Sequence, residues 1–330
     1  MKWSWSVLLA LSLAGCDGCD SPAAPVPGTS AAPKIVHASA SPPPRKSAGA
    51  PPGSASATKK AWVPARELTW SYDDTPAGGL DVVIYVPPHE QDSKLPVLFA
   101  FHGRGEALKG PKRGARGWVE DYWLPQADVR LRTGKVSVGD LLVSDDAHAE
   151  KLNAALAAHP YRGVIVVCPY TPDIMVKPRS LDAASDYGRW LVKTLLPRVD
   201  KELPTIGGRL STGIDGVSLG GRLSVLVGFE RPEAFGVVGG IQPAFDSAEA
   251  GEVARRAKAA REKHTQTVRL LTSEGDFFLN PTRQLSSALK EVDVPNQLDV
   301  VPGPHDYDFN RGPGAHELLL FYDGALRPHP

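Results

Sequence analysis

Seven short runs rich in β-branched and other apolar residues recur from Leu80 onward, most of them separated by longer stretches that suit helices, and this rhythm leaves few architectures open. The runs are Leu80 to Val86, Pro96 to His102, Gly163 to Pro169, Gly213 to Val217, Gly236 to Ile241, Thr267 to Ser273 and Gln297 to Pro302. Several are nearly continuous in apolar residues, as strands buried on both faces must be. Helix candidates fall between them at Ser185 to Val199, Leu219 to Phe229, Ala248 to Lys263, Thr282 to Val292 and Gly314 to Tyr322. The expected fold is therefore α/β, a mainly parallel twisted sheet with helices on both faces. The segment Glu106 to Asp146 breaks the rhythm: it is Gly-rich and charged, carries Trp118, Tyr122 and Trp123, and is expected to be a long irregular insertion. Its aromatic residues would line a pocket, form a lid, or simply pack the insertion.

The rest of the chain divides by composition. Met1 to Gly15 opens with Lys2 and runs through Val7 to Leu13, too short an apolar stretch to span a bilayer but suited to the h-region of a signal peptide. Its ending, Leu13-Ala14-Gly15-Cys16, resembles the bacterial lipobox, and the resemblance implies that Cys16 is lipidated and anchors the protein to a membrane of the cell envelope, facing the periplasm or the exterior. Residues 16–61 are mostly Pro, Ala, Ser and Gly, which cannot offset their ordering entropy by burial and are expected to form a tether. Residues 62–330 then hold one folded domain of roughly 270 residues. Cys16 and Cys19 have the spacing of a metal or redox pair, but they follow an h-region and have no second pair to complete a site. No metal or cofactor is expected. Cys168 follows an apolar run and reads as a core residue. The formal charge is zero, so no basic field is available for a nucleic-acid backbone.

The chemistry concentrates at strand ends. Gly216-Val217-Ser218-Leu219-Gly220 matches G-x-S-x-G, a weak pattern alone, but here it joins a strand to an apolar helix, the setting of a nucleophile elbow. A serine hydroxyl needs a base, and His305 stands just past the last expected strand in Gly303-Pro304-His305-Asp306-Tyr307. The alternatives, His316 and His329, fall in a helix candidate and in the terminal tail. The base needs a carboxylate, and Glu274 and Asp276 both follow the run Thr267 to Ser273; Asp276, beyond the glycine turn, is the better placed. An oxyanion would be met by two backbone N–H groups: that of Leu219, next to the nucleophile, and that of Arg104 in Phe101-His102-Gly103-Arg104-Gly105. His102 is expected to brace that loop rather than act as a base. The order nucleophile, acid, histidine is that of α/β-hydrolases.

From Lys94 to Tyr322 the chain resembles the putative-esterase branch of the α/β-hydrolase superfamily, which includes esterase D-like, feruloyl esterase-like and enterochelin esterase-like proteins and the mycolyltransferases. The likeness is carried by Phe101-His102-Gly103, by Leu195-Leu196-Pro197-Arg198-Val199-Asp200, by Ile214-Asp215-Gly216-Val217-Ser218-Leu219-Gly220-Gly221 and by Gly303-Pro304-His305-Asp306-Tyr307. It implies a serine carboxylic-ester hydrolase that acts on a small-molecule ester through an acyl-enzyme. Two other functions fit the same parts: an acyltransferase in which an alcohol outcompetes water, and a non-catalytic surface module on a hydrolase scaffold.

Overall fold

The computed structural model describes residues 61–176 and 179–327. Cys16, Cys19 and His329 lie outside the described residues. Ten strands occur among those described: β1 (Trp62–Val63), β2 (Arg66–Tyr72), β3 (Leu80–Val86), β4 (His89–Glu90), β5 (Val97–Phe101), β6 (Ile165–Pro169), β7 (Thr212–Gly216), β8 (Val237–Ile241), β9 (Thr267–Gly275) and β10 (Gln297–Pro304). β1 and β4 form a small antiparallel ribbon. The other eight make one sheet in the order β10-β9-β8-β7-β5-β6-β3-β2. Pairing is parallel from β6 through β10, and β3 and β2 complete one edge antiparallel. The expected mainly parallel α/β sheet is what forms.

Period-two alternation builds the two layers around it. In β5, Val97, Phe99 and Phe101 enter one core while Leu98 and Ala100 enter the other, and β6 divides Ile165 and Val167 from Val166 and Cys168 in the same way. On the first face pack the helical stretch 185–202 and the helices Leu219–Glu230, Ala250–Lys263 and Leu279–Glu291; on the second pack Leu124–Arg132, Asp146–Ala158 and Ala315–Ala325. Cys168 is a core residue, and burial pushes its thiol pKa up.

Two expectations need correction. β2 lies outside the expected runs because Arg66–Tyr72 buries only Trp70 and so lacks the apolar density that marked the inner strands. The segment 106–146 is not irregular: it contains the helix Leu124–Arg132, the short helix Val138–Leu141 and tight helical turns at Gly114–Arg116 and Gly117–Asp121. Two of its glycines, Gly114 and Gly117, serve close packing. A Cβ at Gly117 would stand 2.7 Å from Cγ of Glu106 and 3.0 Å from Cβ of His102. Trp118 and Tyr122 are fully buried, and only Trp123 of the aromatic trio is exposed, with the Arg311 guanidinium over its ring.

The sheet order turns back on itself at β5: the chain adds β6 on one side of it and β7 on the other. Ligand crevices in open α/β sheets lie at the carboxyl ends of strands beside such a reversal. The carboxyl ends of β5, β7, β9 and β10 are where Arg104, Ser218, Asp276 and His305 follow in sequence.

Candidate active site

Ser218 follows β7 and precedes the helix Leu219–Glu230, with φ 57° and ψ −114°. A non-glycine residue with positive φ is strained by about 1–3 kcal/mol, so its surroundings must hold it. Its N–H donates to the Ile241 carbonyl at 2.9 Å, and its carbonyl accepts from Ala244 and Arg222 at 3.0 Å each. The turn closes because two neighbours lack side chains: a Cβ at Gly216 would stand 2.5 Å from the Gly220 backbone, and one at Gly220 only 2.3 Å from the Phe101 carbonyl oxygen. The G-x-S-x-G spacing thus presses the helix start against the end of β5.

Nε2 of His305 stands 3.1 Å from Oγ of Ser218, and Nδ1 of His305 stands 2.8 Å from Oδ1 of Asp276. The Asp276 side chain is fully buried and is fixed on both oxygens: Oδ2 accepts from the Thr272 hydroxyl at 2.6 Å, and Oδ1 also accepts from the Phe278 N–H at 2.8 Å. A carboxylate held this way keeps the proton of the neutral imidazole on Nδ1 and leaves Nε2 to accept from the serine. Glu274 is exposed and stands apart from this set. His316 is buried in the helix Ala315–Ala325, with Nδ1 on the Gly312 carbonyl at 2.7 Å, and burial lowers its pKa.

The loop after β5 arranges its N–H groups one by one. That of His102 donates to Oγ1 of Thr171 at 3.0 Å and that of Gly103 to the Tyr122 hydroxyl at 3.0 Å. The N–H of Arg104 begins the helix Arg104–Ala107 and, like that of Leu219, has no carbonyl one turn earlier in its helix and no side-chain cap. Two unengaged N–H donors therefore stand at helix starts, one directly after Ser218 and one after the end of β5. His102 does brace this loop: its Nδ1 meets the Gly103 carbonyl at 2.9 Å while Nε2 accepts from the Thr171 N–H at 2.8 Å. Burial depresses its pKa to about 4, which keeps the ring neutral.

Sequence reasoning missed three contributors. Gln242, fully buried with φ 45°, donates from Nε2 to Oγ of Ser273 at 2.7 Å and to the Pro304 carbonyl at 2.8 Å, tying the end of β8 to the residue before His305. Phe277, highly exposed, packs its ring against that of His305, with the two centroids 4.2 Å apart. Glu106 lies buried behind the β5 loop and accepts from the hydroxyls of Tyr122 and Tyr307. No local pattern marks Gln242 or Glu106, because their partners lie 31 to 62 and 16 to 201 residues away respectively.

The family model described as Putative esterase matches residues 150–317, half of the chain, and spans Ser218, Asp276 and His305. The chain belongs to this family. It is a carboxylic-ester hydrolase of the serine type. Among solved structures, this esterase is similar to a ferulic acid esterase, at 16% identity over 79% of this chain and 99% of that one, with a TM-score of 0.55. It is similar to an S-formylglutathione hydrolase from Staphylococcus aureus, at 13% identity over 78% and 98%, with a TM-score of 0.53. A third is a ferulic acid esterase from the anaerobic fungus Anaeromyces mucronatus, at 18% identity over 81% and 93%, also with a TM-score of 0.53. At such identities the likeness is one of fold. No curated protein matches by sequence.

Proposed function

We propose that this esterase cleaves small-molecule carboxylic esters through an acyl-enzyme on Ser218. The observation that carries the reading is the 3.1 Å approach of His305 Nε2 to the hydroxyl of a serine held at positive φ. His305 takes the hydroxyl proton as Oγ attacks the ester carbonyl, and Asp276 stabilises the imidazolium that forms. The oxyanion accepts from the N–H groups of Leu219 and Arg104, each worth about 3 kcal/mol in the barrier. Collapse of the tetrahedral adduct passes the proton from His305 to the departing alcohol. Water then repeats the sequence in reverse and releases the acid. The test is hydrolysis of a graded panel of aryl and alkyl esters by wild type and Ser218→Ala, with added alcohol acceptors. Loss of turnover in the variant supports the reading, ester products in the presence of acceptors redirect it to acyl transfer, and full activity of Ser218→Ala overturns it.

The reading extends to location. The apolar run Val7 to Leu13 followed by Leu13-Ala14-Gly15-Cys16 supports processing at Cys16 and anchoring in the cell envelope. Metabolic labelling with a fatty acid should mark the full chain and not Cys16→Ser; equal labelling of both would overturn this part.

A further inference from the structure

We propose that Glu106 is a positioning residue for the esterase reaction, joining the oxyanion loop to the histidine loop through two tyrosine hydroxyls. The inference rests on the assignment of Ser218, His305 and the Arg104 N–H made above. Glu106 is 1% exposed and lies two residues beyond Arg104, in the same short helix. Its Oε2 accepts from the Tyr122 hydroxyl, and its Oε1 accepts from the Tyr307 hydroxyl at 2.5 Å. Tyr307 is two residues past His305, while the Tyr122 oxygen accepts the Gly103 N–H at 3.0 Å. A continuous chain of hydrogen bonds thus runs from Gly103 through Tyr122, Glu106 and Tyr307 to the strand end that carries the base.

The direction of each bond gives this chain its meaning. An ionised carboxylate only accepts, so it draws the single proton of each phenol toward itself. Burial and the Glu106 charge raise the Tyr122 pKa well above the ordinary value, and burial, with the Glu106 hydrogen bond, raises that of Tyr307 to about 12; both remain donors. With its proton committed to Glu106, Tyr122 turns a lone pair to the Gly103 N–H. That engagement leaves the Arg104 N–H as the next one free along the loop. Lys109 lies 3.6 Å from Oε1 of Glu106 and 2.7 Å from Asp121, which places a cation beside the buried carboxylate. Gly117, which lacks a Cβ where one would stand 2.7 Å from Cγ of Glu106, lets the carboxylate sit this deep.

An amide at this position would present one acceptor and one donor. Its NH2 would face one of the two phenols, force that phenol to reverse, and release either Gly103 or the His305 loop. The residue touches neither the serine nor the site of the carbonyl, so its loss should lower the rate of the chemical step and leave substrate capture largely intact.

The experiment compares wild type, Glu106→Gln, Tyr122→Phe, Tyr307→Phe and the double variant Glu106→Gln/Tyr122→Phe. The readouts are kcat and KM on phenyl acetate, Ki for phenylboronic acid, which forms a tetrahedral adduct with an active serine, and thermal unfolding. Glu106→Gln should lower kcat roughly 10- to 100-fold, short of the 10²–10³ that deleting a donor outright costs. Its KM should stay within about twofold and its boronate affinity should fall in parallel with kcat. The double variant should lose little more than the worse single variant, because both act through one chain. A folded Glu106→Gln with wild-type kcat and boronate affinity overturns the proposal, as does a loss confined to KM. Should Glu106→Gln fail to fold, Tyr307→Phe decides, since it removes one hydroxyl from a partly exposed side chain. A 3- to 10-fold fall in its kcat supports the proposal, and wild-type kcat and Ki overturn it. Ser218→Ala is the separate control: activity in that variant defeats the serine assignment itself, whatever Glu106 does.

Discussion

Two sets of serine, histidine and carboxylate stand among the described residues, and they differ in what surrounds the serine. In the first, His305 bridges Ser218 at 3.1 Å and Asp276 at 2.8 Å. In the second, His148 bridges Ser144 at 2.6 Å and Glu317 at 2.8 Å. The difference lies in what surrounds each serine. Ser218 is strained at positive φ on an uncapped helix start, with the Leu219 N–H left unengaged. Ser144 precedes a helix whose N-cap, Asp145, already spends a carboxylate on the His148 N–H at 2.9 Å, so an oxyanion there would meet a negative charge. Glu317 also serves Arg269, at 2.7 Å, which makes the second set part of a buried ion network. Three residue types within hydrogen-bond reach are therefore insufficient, and the charge that a developing oxyanion would meet decides.

The sharpest way to break this contrast is to exchange the serines for alanine one at a time. Ser218→Ala should cut kcat/KM on an activated ester by about 10⁴ or more. Asp276→Asn tests the first set's carboxylate: the amide can donate to Nδ1 and fix the wrong tautomer, so the rate should fall about 10³- to 10⁴-fold with the fold retained, as measured by kcat and thermal unfolding.

The second set should answer in stability instead. Glu317→Gln leaves Arg269 and His148 short of a buried partner and should cost about 3 kcal/mol or more in denaturant unfolding at neutral pH, with activity per folded molecule close to wild type. The pH dependence has a definite sign. Burial works against the Glu317 charge, yet the His148 hydrogen bond and the Arg269 charge prevail and hold its pKa down at about 2. A carboxylate with a folded pKa below its unfolded value contributes stability that is present above the unfolded pKa and lost as pH falls through the folded one. The gap between wild type and Glu317→Gln should hold at pH 6–7 and close between about pH 4.5 and 2. The smallest effect belongs to Ser144→Ala, which should leave kcat/KM within about twofold; a large loss there would erase the distinction between the two sets.

Much of this was legible in the sequence, for identifiable reasons. The inner strands could be read because burial on both faces demands continuous apolar runs, and Leu80–Val86 forms over the expected residues. The elbow could be read because its geometry depends on contacts among Gly216, Ser218, Gly220 and the end of β5, of which three fall within five residues. His305 and Asp276 could be located because the fold delivers them at strand ends in fixed order. The segment 106–146 could not be read: its glycines resemble those of a loop, whereas Gly114 and Gly117 admit Glu106 at close range, and Gly117 His102 as well. Its structure is set by partners as distant as Tyr307 for Glu106 and Arg311 for Trp123, and local propensity carries no trace of them. Gln242 was hidden for the same reason, since its role exists only once β8, β9 and β10 are aligned.

The central assignment is the acyl-enzyme on Ser218, and trapping it is the most direct measurement. Protein mixed with excess p-nitrophenyl acetate, quenched in acid within the first turnover, digested and examined by mass spectrometry should carry one acetyl group on the peptide containing Ser218. Ser218→Ala treated identically should carry none there. Acetyl on Ser144 in place of Ser218, or undiminished ester hydrolysis by Ser218→Ala with no adduct on the wild-type serine, would contradict the account.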